Sequence, residues 1–187
     1  MTGMGVKELF SAIFTILFRY RKFWLDLRQS NSGEEFNVLR DYAVPVIALV
    51  QLAKFPLIGV PRSAMFFAGA NFLIDIAALY LLAGGAAYLL DRERSESIQS
   101  GTLTVFSYAM TPVWIFELFC FTGNWSSLFA FFALAYTLVI ARNGLVVLLR
   151  LDSALSATAL RNIALLALTV NSATFLLVRA LIRLFHF

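Results

Sequence analysis

Four ionisable side chains stand inside long apolar stretches of this sequence: Lys54, Asp75, Glu117 and Arg179. A charge placed in hydrocarbon is costly enough to be a functional candidate by default, and this set offers three kinds of chemistry. Opposite charges can pair and hold helices in register, or together form a site for an ion, a proton or a lipid headgroup. Two carboxyls can in principle share acid/base work, as in an aspartyl-type reaction. On the helices outlined below, both cations and both anions fall in one half of the bundle. They are expected to form a mutually neutralising polar cluster, extended by Asn71 and Asn171, which precede Asp75 and Arg179 by one and two helical turns. Neighbouring charges of opposite sign need no ligand to neutralise them, so the structural reading leads. Lys54, Glu117 and Arg179 could also snorkel to headgroups.

Other reactive groups are scarce. The single histidine, His186, is the second-last residue and has no nucleophile beside it in the sequence, and the single cysteine, Cys120, offers neither an internal disulfide nor a CxxC metal pair. HExxH is absent, and Asp75 and Glu117 lie in no recognised catalytic motif. The run Ala83, Gly84, Gly85, Ala86, Ala87 reads as a patch for close helix packing rather than a phosphate loop. No catalytic, cofactor-binding or metal-ligating residue is therefore assigned, and the chain is expected not to be an enzyme.

The elements that position these charges follow from composition. Of 187 residues, 60% are hydrophobic and 14% charged, with a mean hydropathy of +0.81. A soluble domain is roughly 45 to 50% apolar and roughly 25% charged, and could not hide so much apolar surface. A bilayer-spanning helix needs about 20 mainly apolar residues. Five stretches qualify: Tyr42 to Val60, Met65 to Leu90, Thr102 to Phe121, Trp125 to Leu149 and Asn162 to Phe185. The first is interrupted by Pro45, Lys54 and Pro56, which a packed helix tolerates. The links Pro61 to Ala64 and Thr122 to Asn124 are short and imply antiparallel neighbours, whereas Asp91 to Gly101 and the region after Arg142 are longer and charged.

Basic residues gather on one side of these spans. Lys7, Arg19, Arg21, Lys22, Arg28 and Arg40 precede the first, Arg92 and Arg94 follow the second, and Arg142, Arg150 and Arg161 follow the fourth. Only Arg62 and Arg183 lie near the opposite surface. The positive-inside rule then puts the N-terminus in the cytoplasm and, after five crossings, the C-terminus outside. The net charge of +4 and pI near 9.5 point to anionic headgroups rather than nucleic acid, because the basic residues border apolar segments.

Met4 to Leu27 reads differently. Glu8, Ser11, Thr15, Arg19, Lys22 and Asp26 make one polar stripe, and Leu9, Phe10, Ile13, Phe14, Leu17, Phe18 and Trp24 make the other face. This is expected to be an amphipathic helix in the membrane interface, with Phe10, Phe14 and Trp24 toward the acyl chains and Arg19 and Lys22 toward headgroups. The alternative is a sixth, short or re-entrant element, or a signal anchor. A polar loop, Gln29 to Glu35, follows. The fold expected is all-α, a polytopic membrane helical bundle of five transmembrane helices (41–187) preceded by a cytoplasmic segment with an interfacial amphipathic helix (1–40).

The order of features resembles the Yip domain family, five-span membrane proteins named for interaction with Ypt/Rab GTPases. The resemblance covers about residues 20 to 187. It rests on Arg21, Lys22, Phe23, Trp24, Leu25, Asp26, Leu27, then on Tyr42, Ala43, Val44, Pro45 opening the first span, and on Ser107, Tyr108, Ala109, Met110, Thr111, Pro112 in the third. The long soluble N-terminal region and the Asp-Leu-Tyr-Gly-Pro motif of eukaryotic members are absent, so the chain is similar to the compact bacterial type. That resemblance implies a bacterial cytoplasmic membrane. The expected role is a non-enzymatic scaffold or accessory subunit of a membrane assembly, without cofactors. Its partners would be the bilayer and other membrane subunits or further copies of the chain. The alternative is a small transporter, channel or lipid-handling protein that uses the charged cluster.

Overall fold

The computed structural model describes residues 5–30, 37–90, 96–121, 125–149 and 157–184. The link Thr122 to Asn124 and most of the polar loop Gln29 to Glu35 lie outside them. Among the described residues the chain is all-helical, and five segments are long and apolar enough to cross a bilayer: Leu39–Ile58, Pro61–Leu90, Glu96–Phe119, Ser126–Leu149 and Ala157–Leu184. The protein is a polytopic membrane bundle with one further helix ahead of the spans.

Two of the five spans are broken rods, and proline accounts for both breaks. The first comprises a π-helical turn, Leu39–Ala43, then α2 (Val44–Ala53) and α3 (Phe55–Ile58), with Lys54 at the joint. Pro56 has no N–H to offer the carbonyl of Leu52, and the Lys54 amide turns back to the Gln51 carbonyl at 3.2 Å. Gly59 then adopts φ 74°, a left-handed conformation suited to glycine, and ends α3. The next span, α4 (Pro61–Leu90), starts at once, because proline is preorganised for the first helical turn. The connection is therefore shorter than the expected Pro61 to Ala64 link.

The third span divides into α5 (Glu96–Ala109), α6 (Thr111–Phe116) and a 3-10 turn, Glu117–Phe121. Here Pro112 deprives the carbonyl of Tyr108 of its usual donor, and the Thr111 hydroxyl donates to that carbonyl instead, at 2.7 Å. α7 (Ser126–Leu149) and α8 (Ala157–Leu184) are continuous. α4 packs against α5 and α8, α7 against α5 and α6, and α8 is the least enclosed of the five spans.

The N-terminal helix, α1 (Val6–Ser30), bends where Arg19 leaves helical geometry at φ −138°, ψ 38°. Its apolar face is split in two, which corrects the expectation for Trp24. Leu9, Ile16 and Trp24 are buried against the bundle, Trp24 completely, while Phe10, Phe14 and Phe18 stay exposed together with Arg19 and Lys22. The Tyr136 hydroxyl of α7 donates to the Leu17 carbonyl, and further along both helices Trp24 lies against Gly144. A heptad-like spacing locates a helix face but does not say whether lipid or protein covers it.

Trp24 anchors an aromatic cluster built from three separated segments. Its ring lies 6.0 Å from that of Tyr108, which is 4.7 Å from Phe23 and 4.2 Å from Tyr42. The Tyr42 hydroxyl and the Thr111 hydroxyl are 2.7 Å apart in a buried hydrogen bond. A Cβ on Gly144 would stand 2.8 Å from the Trp24 ring and 3.0 Å from a Val105 methyl, so this glycine sets how closely α1 approaches α7. Gly144→Ala is expected to destabilise the fold by about 1 to 3 kcal/mol through overpacking, measured as detergent-solubilised unfolding. Wild-type stability in that variant would mean that the indole moves aside freely.

Candidate functional site

The first three spans deliver the site's charged groups. Lys54 stands at the joint of the first span, Glu117 where the third tightens into its 3-10 turn, and Asn71 and Asp75 occupy consecutive turns of α4 between them. Lys54 is fully buried, and Asn71, Asp75 and Glu117 are each at most 6% exposed. The Lys54 ammonium donates to Glu117 Oε2 at 2.6 Å and to Gln51 Oε1 at 3.1 Å. The Asn71 amide donates to the same Glu117 oxygen at 2.8 Å, with a longer contact of 3.4 Å to Asp75 Oδ2. Gln51 completes the circuit by donating Nε2 to Asp75 Oδ2 at 2.8 Å.

Four of the six expected cluster members thus meet: Lys54, Asp75, Glu117 and Asn71. Gln51 joins them and was not anticipated, although it precedes Lys54 by three residues and so shares its helix face. Arg179 does not join. Its guanidinium lies 5.5 Å from the ring of Phe175, and among the described residues it makes no ion pair with Asp75 or Glu117. The reason is azimuthal. α8 turns Asn171, Thr174 and Val178 inward at helical spacing, and Arg179, one residue past Val178, is rotated away from that face. Asn171 lies between these cases. It touches no member of the network by a hydrogen bond, but it lines the same cavity as Glu117.

That cavity, about 220 Å³, lies between α6, α7 and α8. Its walls are largely apolar, with Phe116, Phe131 and Phe175 among them, and Glu117, Asn171 and the hydroxyls of Ser127, Ser172 and Thr174 supply polar groups. The Asn171 amide nitrogen is engaged with the Ala167 carbonyl of its own helix at 2.9 Å, while its carbonyl oxygen is buried without a partner. The Asn71 carbonyl oxygen is likewise buried and unpartnered.

Losing Arg179 changes the electrostatics of the site. The expected balance of two cations and two anions becomes one ammonium, Lys54, against two carboxyls, Asp75 and Glu117. In a low-dielectric interior a surplus negative charge is expensive, so the network is neutral only when it also holds a proton or another cation. Chemically it can bind, release or relay such a charge. Among the described residues no three of His, Cys, Asp and Glu come together as a metal site. No family model, curated protein or solved structure matches the chain.

Proposed function

We propose that this protein is a small membrane carrier, a transporter or lipid-handling protein, that works by exchanging a proton or cation at the Lys54–Glu117–Asp75 network. The observation that carries the proposal is the charge imbalance of a fully buried network held between two broken helices. Interrupted spans meeting at membrane depth are how many transporters build their binding sites, because freed backbone and side chains can line a cavity there. Unclaimed acceptors on Asn71 and Asn171 add to the demand for positive charge. A scaffold's charges would be expected to balance among fixed side chains, whereas with Arg179 apart this network balances only by taking up a proton or cation.

In this proposal the protein catalyses no covalent step. It lies in a bacterial cytoplasmic membrane with its first residues in the cytoplasm, an orientation supported by the one-sided distribution of Arg and Lys. The resemblance to the Yip domain family belongs to the same proposal, supported by the convergence of Phe23, Trp24, Tyr42, Tyr108 and Thr111 in one cluster. One observation favours the accessory-subunit reading: the exposed stripe Val6, Phe10, Phe14 and Phe18 on α1.

The carrier reading is tested with proteoliposomes on a solid-supported membrane. A pH jump is expected to displace charge transiently as the network gains or loses its proton. Asp75→Asn, a near-isosteric change, should abolish the displacement while circular dichroism shows an intact helical fold. A trace no different from protein-free liposomes, or unchanged in Asp75→Asn, would remove the carrier reading.

A further inference from the structure

We propose that the cavity between α6, α7 and α8 binds an amphiphilic amine: an ammonium head held by Glu117 and Asn171, and an apolar, aromatic-sized body among the phenylalanines. The proposal rests on the carrier reading above and names its substrate class.

The polarity of the cavity selects the head group. Glu117 presents a carboxyl, and Asn171 is locked by its Nδ2 contact to Ala167 so that only its buried, unpartnered carbonyl oxygen is free. Both are acceptors, and the hydroxyls of Ser127, Ser172 and Thr174 that also line the cavity accept as readily as they donate, so a ligand with several N–H groups satisfies every polar group there, whereas an anion would have to face the Glu117 carboxyl. Of the cations in the outer half of the bundle, Lys54 is already committed to Glu117 and Gln51, and Arg179 is outside the cavity lining. An arriving ammonium also supplies the positive charge that the network lacks, which couples ligand binding to the proton it holds.

The walls select the body. Phe116, Phe131 and Phe175 offer ring surface for an apolar group and ring faces for a cation. A fully hydrated inorganic ion would leave its water shell against these walls. An engineered cavity of about 150 Å³ accommodates one benzene ring, so about 220 Å³ leaves room for a ring with a short arm. Ser127, Phe131 and Ser172 line the cavity and are exposed on the protein surface, so it opens sideways toward lipid. A membrane-partitioned amphiphile can enter there without passing through water.

The test uses the full chain in lipid nanodiscs, titrated calorimetrically with 2-phenylethylammonium, and with 2-phenylethanol and 3-phenylpropanoate as neutral and anionic counterparts. Saturable one-site binding of the amine is expected, at least ten-fold tighter than either counterpart. Glu117→Gln and Asn171→Leu should each weaken it at least ten-fold, and Ala130→Phe, which fills the cavity from α7, should abolish it. Asn171 and Ala130 make no hydrogen bond to the network, so these two variants decide the matter even where Glu117→Gln fails to fold. Equal affinity for the alcohol or the anion, or wild-type binding in Ala130→Phe, would overturn the proposal. A pH-driven displacement without amine binding would sink the cavity assignment and leave the carrier reading standing; amine binding without displacement would do the reverse.

Discussion

Replacing Lys54 by methionine is expected to cost about 3 to 5 kcal/mol of folding stability, because it strands a buried carboxylate without its counter-ion. The 2.6 Å contact to Glu117 is the network's only ion pair among the described residues, and Asn71 and Gln51 offer dipoles but no charge. Methionine fills nearly the same space, so the loss reports electrostatics rather than packing. The double variant Lys54→Met with Glu117→Gln should recover more than half of that loss, since neither partner is then an orphaned charge. Both are read from denaturant unfolding in detergent. Additive losses in the double variant would show that Lys54 and Glu117 do not depend on each other.

Trp24→Ala should have an effect of similar size, about 3 to 5 kcal/mol, for a different reason. The indole is fully buried and joins α1 to Tyr108 of α5 and Gly144 of α7. Between helices surrounded by lipid, contact density rather than water exclusion holds the parts together, so removing so many contacts at once is severe. α1 should then become susceptible to limited proteolysis while the five spans stay protected. Phe14→Ala, on the exposed side of the same helix, should leave both stability and proteolysis near wild type. Protection of α1 in Trp24→Ala would mean that other contacts hold it in place.

The five spans were legible because a run of about 20 apolar residues has few other physical explanations. The breaks were partly legible as well. Pro56 lies two residues beyond Lys54 and Pro112 two beyond Met110, and each removes a donor at a known distance. What the sequence could not give was rotation about each helix axis. Depth follows from counting residues, and it correctly grouped Lys54, Asp75 and Glu117; azimuth depends on which neighbour a helix packs against, and there Arg179 went astray. Gln51 escaped notice because a neutral amide in an apolar helix raises no alarm until its partners are known. Trp24 was grouped with Phe10 and Phe14 rather than with the buried side of α1, because the small residue that admits it, Gly144, lies 120 positions further along the chain.

Lys54 and Glu117 are separated by 63 residues, and this spacing has a consequence during synthesis. At about 5 to 20 residues per second, the ribosome completes Glu117 some 3 to 13 seconds after Lys54. Over that interval Lys54 exists without its ion-pair partner, and of the network only Gln51, then Asn71 and Asp75, have been made.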